Sequence, residues 1–296
     1  MVRVFGGQWF LKGLTNILAK PLLLAHKVKK AAMDLIEARN LHYNENERHP
    51  WERARLKVIQ SIMKDVLKTR PNERLHVLDL GCGDTFVVQS LALASPQNSY
   101  SAVDIAFTDD MLSEIHEQLK DKPIRAYKSL KDIDYSTIPK VDVVLLLDVI
   151  EHIEDDVAFM QWLRNFPSIT DETRFIITVP AYASLHTVRD VFLKHYRRYT
   201  SRVLKGNLAS AGFATERRGY FFLSLLIPRL LVKIKELITR PAPNTNMGIG
   251  VWKGSRLLSA LMISVLYADF KILFVLNKLG LRLPGLSTYA VCRKSA

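Results

Sequence analysis

From residue 76 to about residue 179, short apolar runs alternate with amphipathic stretches. The runs at 76–80, 99–104, 125–128, 141–147 and 174–179 predict strands, and the segments near 86–94, 109–120 and 154–165 predict helices. Strand–helix–strand repetition predicts an α/β fold, a mostly parallel sheet covered by helices on both faces. The run Val141-Asp142-Val143-Val144-Leu145-Leu146-Leu147 has the profile of a central strand buried on both sides. A helix over 200–212 ended by Gly212, a strand over 213–222 and a last strand at Ser287-Thr288-Tyr289-Ala290-Val291-Cys292 complete the pattern. Ahead of the sheet, Pro50 sits at the first turn of a helix over 50–69, with Trp51, Ala54, Val58, Ile59 and Ile62 as its apolar positions and Pro71 closing it.

The two ends of the chain read differently. In 9–30, Phe10, Leu11, Leu14, Ile17 and Leu18 recur at helical spacing, Pro21 kinks or restarts the helix, and Trp9 suits a headgroup boundary. Residues 31–48 are polar and helical in character. Between residues 223 and 286 the chain carries much of two apolar blocks, at 220–227 and 257–268. Neither reaches the roughly 18–20 uncharged residues that span a bilayer, so interfacial or re-entrant helices are expected. A helical subdomain packed on the sheet, or a homodimer face, is the alternative. The segments expected are therefore 1–70 (amphipathic and capping helices), 71–222 (the core), 223–286 (a basic, apolar insertion) and 287–296 (the last strand and tail).

Charge follows the same division. The net +13 is carried by the ends: residues 1–30 hold six Lys/Arg and no acid, residues 217–296 hold thirteen Lys/Arg against Glu236 and Asp269, and the middle is mildly acidic. Nucleic-acid binding would account for the charge but not for the accompanying Leu, Ile and Phe; an anionic membrane surface accounts for both. Cys82 and Cys292 make no disulfide framework, and no secretory apolar core is evident, which gives a cytoplasmic expectation, peripheral on the inner face of the cell membrane.

The chemistry concentrates in His76-Val77-Leu78-Asp79-Leu80-Gly81-Cys82-Gly83-Asp84. An apolar strand delivers an acid and then two glycines, a tight turn that lets a ligand approach the backbone. A nicotinamide site would place a third glycine where Thr85 and Phe86 stand. Asp79 and Asp84 would repel a pyrophosphate and favour a ligand with positive character, such as an amino acid attached to a sulfonium. Asp104 ends the second strand, where an acid hydrogen-bonds ribose hydroxyls. The ends of strands one and four, Asp79 to Asp84 and Asp148 to His152, flank the expected ligand cleft. No clustered Cys/His set makes a case for a metal.

On Val77-Leu78-Asp79-Leu80-Gly81-Cys82-Gly83, Val103-Asp104-Ile105 and Leu147-Asp148-Val149-Ile150-Glu151-His152-Ile153, the chain resembles the class I S-adenosylmethionine-dependent methyltransferases over roughly 49–220 plus the final strand. The resemblance implies a seven-stranded sheet of order 3-2-1-4-5-7-6 with the seventh strand antiparallel. It implies that Gly81, Cys82 and Gly83 cradle the methionine part of S-adenosylmethionine, with Asp79 near its amino group, Asp104 on the ribose, Ile105 on the adenine, and Asp148 and Ile150 along its other side. Many members carry an acid near the adenine after the third strand; here Ser129 stands in that region. Thr85 replaces the usual third glycine. His49-Pro50-Trp51-Glu52-Arg53-Ala54-Arg55 and His195-Tyr196-Arg197-Arg198-Tyr199-Thr200 resemble segments of a bacterial branch often associated with polysaccharide or lipid-linked pathways.

Beyond the fifth strand, Pro180 starts a long connection rich in groups that suit a substrate wall. Arg197 and Arg198, with Tyr196 and Tyr199, can bind an anionic acceptor group, or the arginines can pair with Asp190 or face solvent. His195, His152 and His186 are the candidates for a base that takes a proton from an acceptor hydroxyl. The expected activity is methyl transfer to an amphiphilic or lipid-linked acceptor, a sugar or quinone-like head group, at the membrane. A soluble small molecule or protein side chain, with the insertion as a lid, is the alternative, as is a non-catalytic scaffold.

Overall fold

The computed structural model describes residues 48–70, 73–138, 140–239, 252 and 254–295. The expectations for 1–47, including the amphipathic helix at 9–30, and for 240–251 lie outside the described residues.

Seven strands form one sheet: β1 (His76–Leu80), β2 (Ser99–Val103), β3 (Ile124–Tyr127), β4 (Val141–Leu147), β5 (Ile169–Pro180), β6 (Phe213–Phe221) and β7 (Ser287–Lys294). Their order is β3-β2-β1-β4-β5-β7-β6, as expected. Strands β1 to β5 pair in parallel and β7 runs antiparallel to both neighbours. This is the strand order that the resemblance to the class I methyltransferases implies. Strand β5 starts earlier than its apolar run, because Ile169 already pairs with Val141.

The helices are α1 (Pro50–Val66), α2 (Phe86–Ala94), α3 (Asp109–Leu119), α4 (Asp156–Arg164), α5 (Val188–Phe192), α6 (Ser201–Ser210), α7 (Leu226–Thr239) and α8 (Arg256–Lys278). Alternate residues of β4 enter two cores. Val143 and Leu145 pack with α1, α2, α3 and α8, whereas Val144 and Leu146 pack with Met160 and Leu163 of α4 and Leu204 and Leu208 of α6. Asp142 interrupts the apolar run, and Arg70 and the His76 amide, bonding it at 2.7 and 2.9 Å, offset its burial.

Helix α1 begins with a capping box: the Trp51 amide donates to His49 Nδ1 (3.1 Å) and the His49 amide donates to Glu52 (3.1 Å), with Pro50 at the first helical position. Its buried stripe of Ala54, Val58, Ile59 and Ile62 shares a core with Ile263, Leu266 and Phe270 of α8, and Ser61 bonds Tyr267 at 2.7 Å.

Helix α8 corrects the expectation that the second apolar block is too short to span. It runs 23 residues through Asp269 and Lys271, long and apolar enough by length and composition to cross a bilayer. It nevertheless buries Ser259, Ile263, Leu266, Phe270 and Leu273 against the domain, and Asp269 accepts bonds from the amide and hydroxyl of Ser224, each at 2.7 Å.

Helix α7 is built inside out. Arg229, Lys233 and Glu236, on one stripe, reach Asp190, the His186 carbonyl and the Val188 amide. Ile227, Leu230, Leu231, Ile234, Leu237 and Ile238 are exposed. A helix docked on a soluble protein normally shows the reverse polarity.

Candidate active site

Strand β1 ends in a turn whose conformation its residues dictate. Gly81 has φ 77 and Gly83 has φ 57, and a Cβ on Gly81 would lie 2.7 Å from a Val149 methyl. Thr85 holds the left-handed conformation (φ 66) that the missing third glycine would adopt. A left-handed threonine costs on the order of 1–2 kcal/mol; its hydroxyl, buried, accepts a bond from Gln89 at 2.8 Å. The amides of Gly81 and Cys82 close onto the Val103 carbonyl at 2.8 and 3.2 Å. Asp104 then ties the loop to the end of β2, accepting from the Gly83 amide and the Ala106 amide, each at 2.9 Å.

Beneath this turn lies Asp79, 1% exposed, with neither carboxylate oxygen hydrogen-bonded. Burial pushes its carboxyl up to about 7; Arg55 opposes the shift, and Asp104 and Asp84 add to it. A buried carboxyl left without a donor, at the carboxyl end of a central strand, fits a ligand that brings an ammonium group. The cradle of Gly81, Gly83, Asp79 and Asp104 therefore fits the amino acid and ribose parts of S-adenosylmethionine. Ile105, the residue expected on the adenine, is 46% exposed. Cys82 is buried, and burial raises its thiol well above the usual range, so it packs and does not react.

Asp148, directly after β4, has φ 59, and such strain in a non-glycine residue gathers at functional sites. It pairs with Arg55 (2.8 Å) and accepts from Thr178 (3.0 Å). Ile150 is 1% exposed, within the core that contains α4. Ser129 caps the turn after β3, accepting from the Lys131 amide at 3.2 Å. The start of α1 leans over the same end of the sheet: Arg48 pairs with Asp84 and Arg55 with Asp148. Both arginines are site residues that sequence reasoning missed, because a charged position on an amphipathic helix carries no sign of its distant partner.

The acceptor side is organised by Asp190. The helix α5 cap supplies the Thr187 amide and hydroxyl to its Oδ2 at 2.8 and 3.1 Å, and Arg229 adds a bond at 2.6 Å. Its Oδ1 accepts from His195 Nδ1 and Arg198 Nε, both at 2.8 Å. These donors overcome burial and hold the carboxyl far below the usual range. Asp190, which only accepts, thus places a proton on His195 Nδ1.

The histidines separate. The His152 and His195 rings meet edge to face at 4.7 Å. His186 instead turns its Nε2 toward the His195 backbone carbonyl at 3.4 Å. Arg197 goes to Asp156 at 2.6 Å and Arg198 to Asp190, the pairing named as the alternative to acceptor binding. Tyr199 is fully buried, its hydroxyl donating to Asp156 at 2.8 Å. Tyr196 alone of the four is exposed. The structure thus brings His195, His152 and Asp190 together and gives Arg197, Arg198 and Tyr199 internal partners. Glu151, wholly buried beside His152, is a further member of the group that the sequence offered no role.

No protein-family model matches the chain, and no curated protein matches it in sequence. Among solved structures it is similar to a plantazolicin methyltransferase in complex with a triazolic desmethyl-plantazolicin analogue and S-adenosylhomocysteine (13% identity, 92% of this chain and 100% of that one, TM-score 0.49). It is also similar to magnesium protoporphyrin IX methyltransferase from Synechocystis PCC 6803 with bound S-adenosylmethionine (17%, 62% and 82%, 0.44). A third likeness is to the cyclopropane synthase MmaA2 from Mycobacterium tuberculosis (13%, 79% and 84%, 0.43). At these identities and TM-scores the likenesses carry neither a role nor a substrate over to this chain.

Proposed function

We propose that the protein is an S-adenosylmethionine-dependent methyltransferase that works on the cytoplasmic face of a membrane, on an amphiphilic or lipid-linked acceptor such as a sugar or quinone-like head group. The observation that carries the transferase reading is the donorless, buried carboxyl of Asp79 under a turn of two left-handed glycines. S-adenosylmethionine, when bound, supplies a methyl group on a sulfonium leaving group. The chain's own residues then have little covalent work. The 81–84 turn and Asp104 would hold the cofactor's ends, with Asp79 for its ammonium, and the Arg55–Asp148 pair would stand beside it. His195 Nε2, oriented by Asp190, is placed to take a proton from an acceptor hydroxyl.

The membrane part is supported by α7. Its polar stripe is bolted to the acceptor side through Arg229, Lys233 and Glu236, and its apolar stripe is exposed. Exposed apolar positions also run along α8, among them Leu257, Leu261, Val265 and Ile272, with Lys271 between them. Apolar faces with basic side chains suit an anionic lipid surface. An acceptor anchored in that surface would present its head group to His195 without leaving the lipid.

The test is transfer of labelled methyl from S-adenosylmethionine, with the full chain on anionic vesicles loaded with a bacterial lipid extract. Label in the organic phase, absent when vesicles are omitted, supports the reading. Label found only in water-soluble products, with no affinity for vesicles, removes the membrane part and leaves the transferase.

A further inference from the structure

Three side chains on the acceptor side belong to a chemistry that proton transfer does not need. Among the described residues, one ligating atom from each of Glu151, His152 and His195 lies within 4.8 Å of the other two. We propose that these three residues form a mononuclear site for a first-row divalent cation, and that an open position on the ion takes an oxygen of the acceptor. The proposal rests on the methyltransferase reading for its purpose, but not for its chemistry.

Two imidazoles and one carboxylate are the donor set of catalytic sites that keep a position open for substrate. A tetrahedral ion with bonds near ~2.1 Å holds its ligand atoms roughly 3.4 Å apart. The group as it stands would draw together by up to about 1.4 Å on binding, a movement within reach of side-chain rotation.

The backbone brings the ligands together by design. Glu151 and His152 are adjacent in the turn Ile150–His152 after β4, and the Tyr196 amide donates to the Glu151 carbonyl at 2.8 Å, which fastens residue 195's neighbour to that turn. Lys194, in the left-handed conformation (φ 59), swings His195 into place, and the His195 amide donates to the Asp190 carbonyl at 2.8 Å.

The independent observation is what supports His195 from behind. A ligating histidine ordinarily donates its second ring N–H to a carboxylate, which fixes the tautomer and raises the basicity of the ligating nitrogen. His195 Nδ1 donates to Asp190 at 2.8 Å, and Asp190 is itself held by Arg198, Arg229 and Thr187. Nε2 is then the ligating atom. With the ion bound, the Nε2 lone pair is taken up in ligation, and His195 is a ligand in place of the base role that the metal-free reading gives it. An acceptor hydroxyl on the ion loses its proton to water as its O–H bond breaks, because the cation stabilises the oxyanion.

The experiment uses the full chain, stripped with a chelator and titrated with Zn2+ and then with Co2+, whose visible ligand-field bands report nitrogen coordination. One ion per chain is expected, with affinity at least a hundredfold weaker in Glu151→Gln and in His195→Ala. Asp190→Asn, a positioning change, should weaken it by about 10–100-fold. His116→Ala, whose ring bonds the Ala126 carbonyl elsewhere, should keep the ion. Should a ligand variant fail to fold, the wild-type spectrum still decides. No ion bound by the wild type, bands without nitrogen character, or undiminished affinity in all three ligand variants (with His152→Ala as the third) would each overturn the site. S-adenosylhomocysteine binding, measured on the same samples, separates the two ideas. Cofactor without metal ends this proposal alone, and metal without cofactor ends the methyltransferase reading alone.

Discussion

Replacing Asp79 by Asn tests the cofactor cradle through its proton. In the free protein burial raises the Asp79 carboxyl from 3.8 to about 7. A shift of about three units corresponds to roughly 4 kcal/mol at full ionisation. The sign follows from proton counts. Between pH 4 and 7 the folded state binds a proton that the unfolded state has lost, so stability falls as pH rises through that window and levels off above it. An arriving ammonium reverses the preference and ionises the carboxyl. At pH 6 about nine-tenths of Asp79 is protonated before binding, so calorimetry in buffers of different ionisation enthalpy should show about 0.9 proton released per cofactor bound. Affinity should fall about fiftyfold between pH 7 and pH 5, as the ionised fraction drops from about one half to about one hundredth. Asp79→Asn should be more stable than wild type above pH 7, release no proton, and bind weakly with little pH dependence. Cofactor binding by the wild type without proton release at pH 6, or an unchanged pH profile in Asp79→Asn, would refute the placement of the ammonium beside this residue.

Other changes probe separate parts of the account. Gly81→Val forces a branched side chain into a left-handed turn and against Val149, so S-adenosylhomocysteine binding should be lost and the melting temperature lowered by several degrees; an unaltered dissociation constant would speak against the turn as the binding element. Asp104→Ala removes the acceptor for the Gly83 and Ala106 amides, and a tenfold or greater loss of cofactor affinity is expected by calorimetry. Ile234→Glu with Leu237→Glu places two charges on exposed positions of α7. The melting curve should stay within about 1 kcal/mol of wild type while flotation with anionic vesicles is abolished, and retained flotation would exclude α7 as the membrane contact.

The parallel core was legible because each strand is either a continuous apolar run or a short alternation, and its turn residues are ordinary. Strand β1, its glycine turn and Asp104 could be read from spacing alone, since a nucleotide-type cleft needs those residue types at those strand ends. What stayed hidden depends on contacts across long stretches of chain. Arg229 reaches Asp190 from 39 residues away. The same contact explains why α7 turns its charges inward, which periodicity alone reads as an ordinary amphipathic helix. Arg197, Arg198 and Tyr199 look like a binding wall in sequence. In three dimensions Asp156 and Asp190, each buried, consume them. Thr85 in a glycine conformation is likewise invisible to residue type, because it is the surrounding loop that imposes the angle.

The central claim is that the turn after β1 grips a sulfonium methyl donor. Equilibrium dialysis of the full chain against labelled S-adenosylmethionine tests it most directly. The account predicts one molecule bound per chain, displaced by S-adenosylhomocysteine and lost in folded Gly81→Val. Absence of saturable binding at millimolar concentration, or binding that Gly81→Val leaves intact, would contradict it.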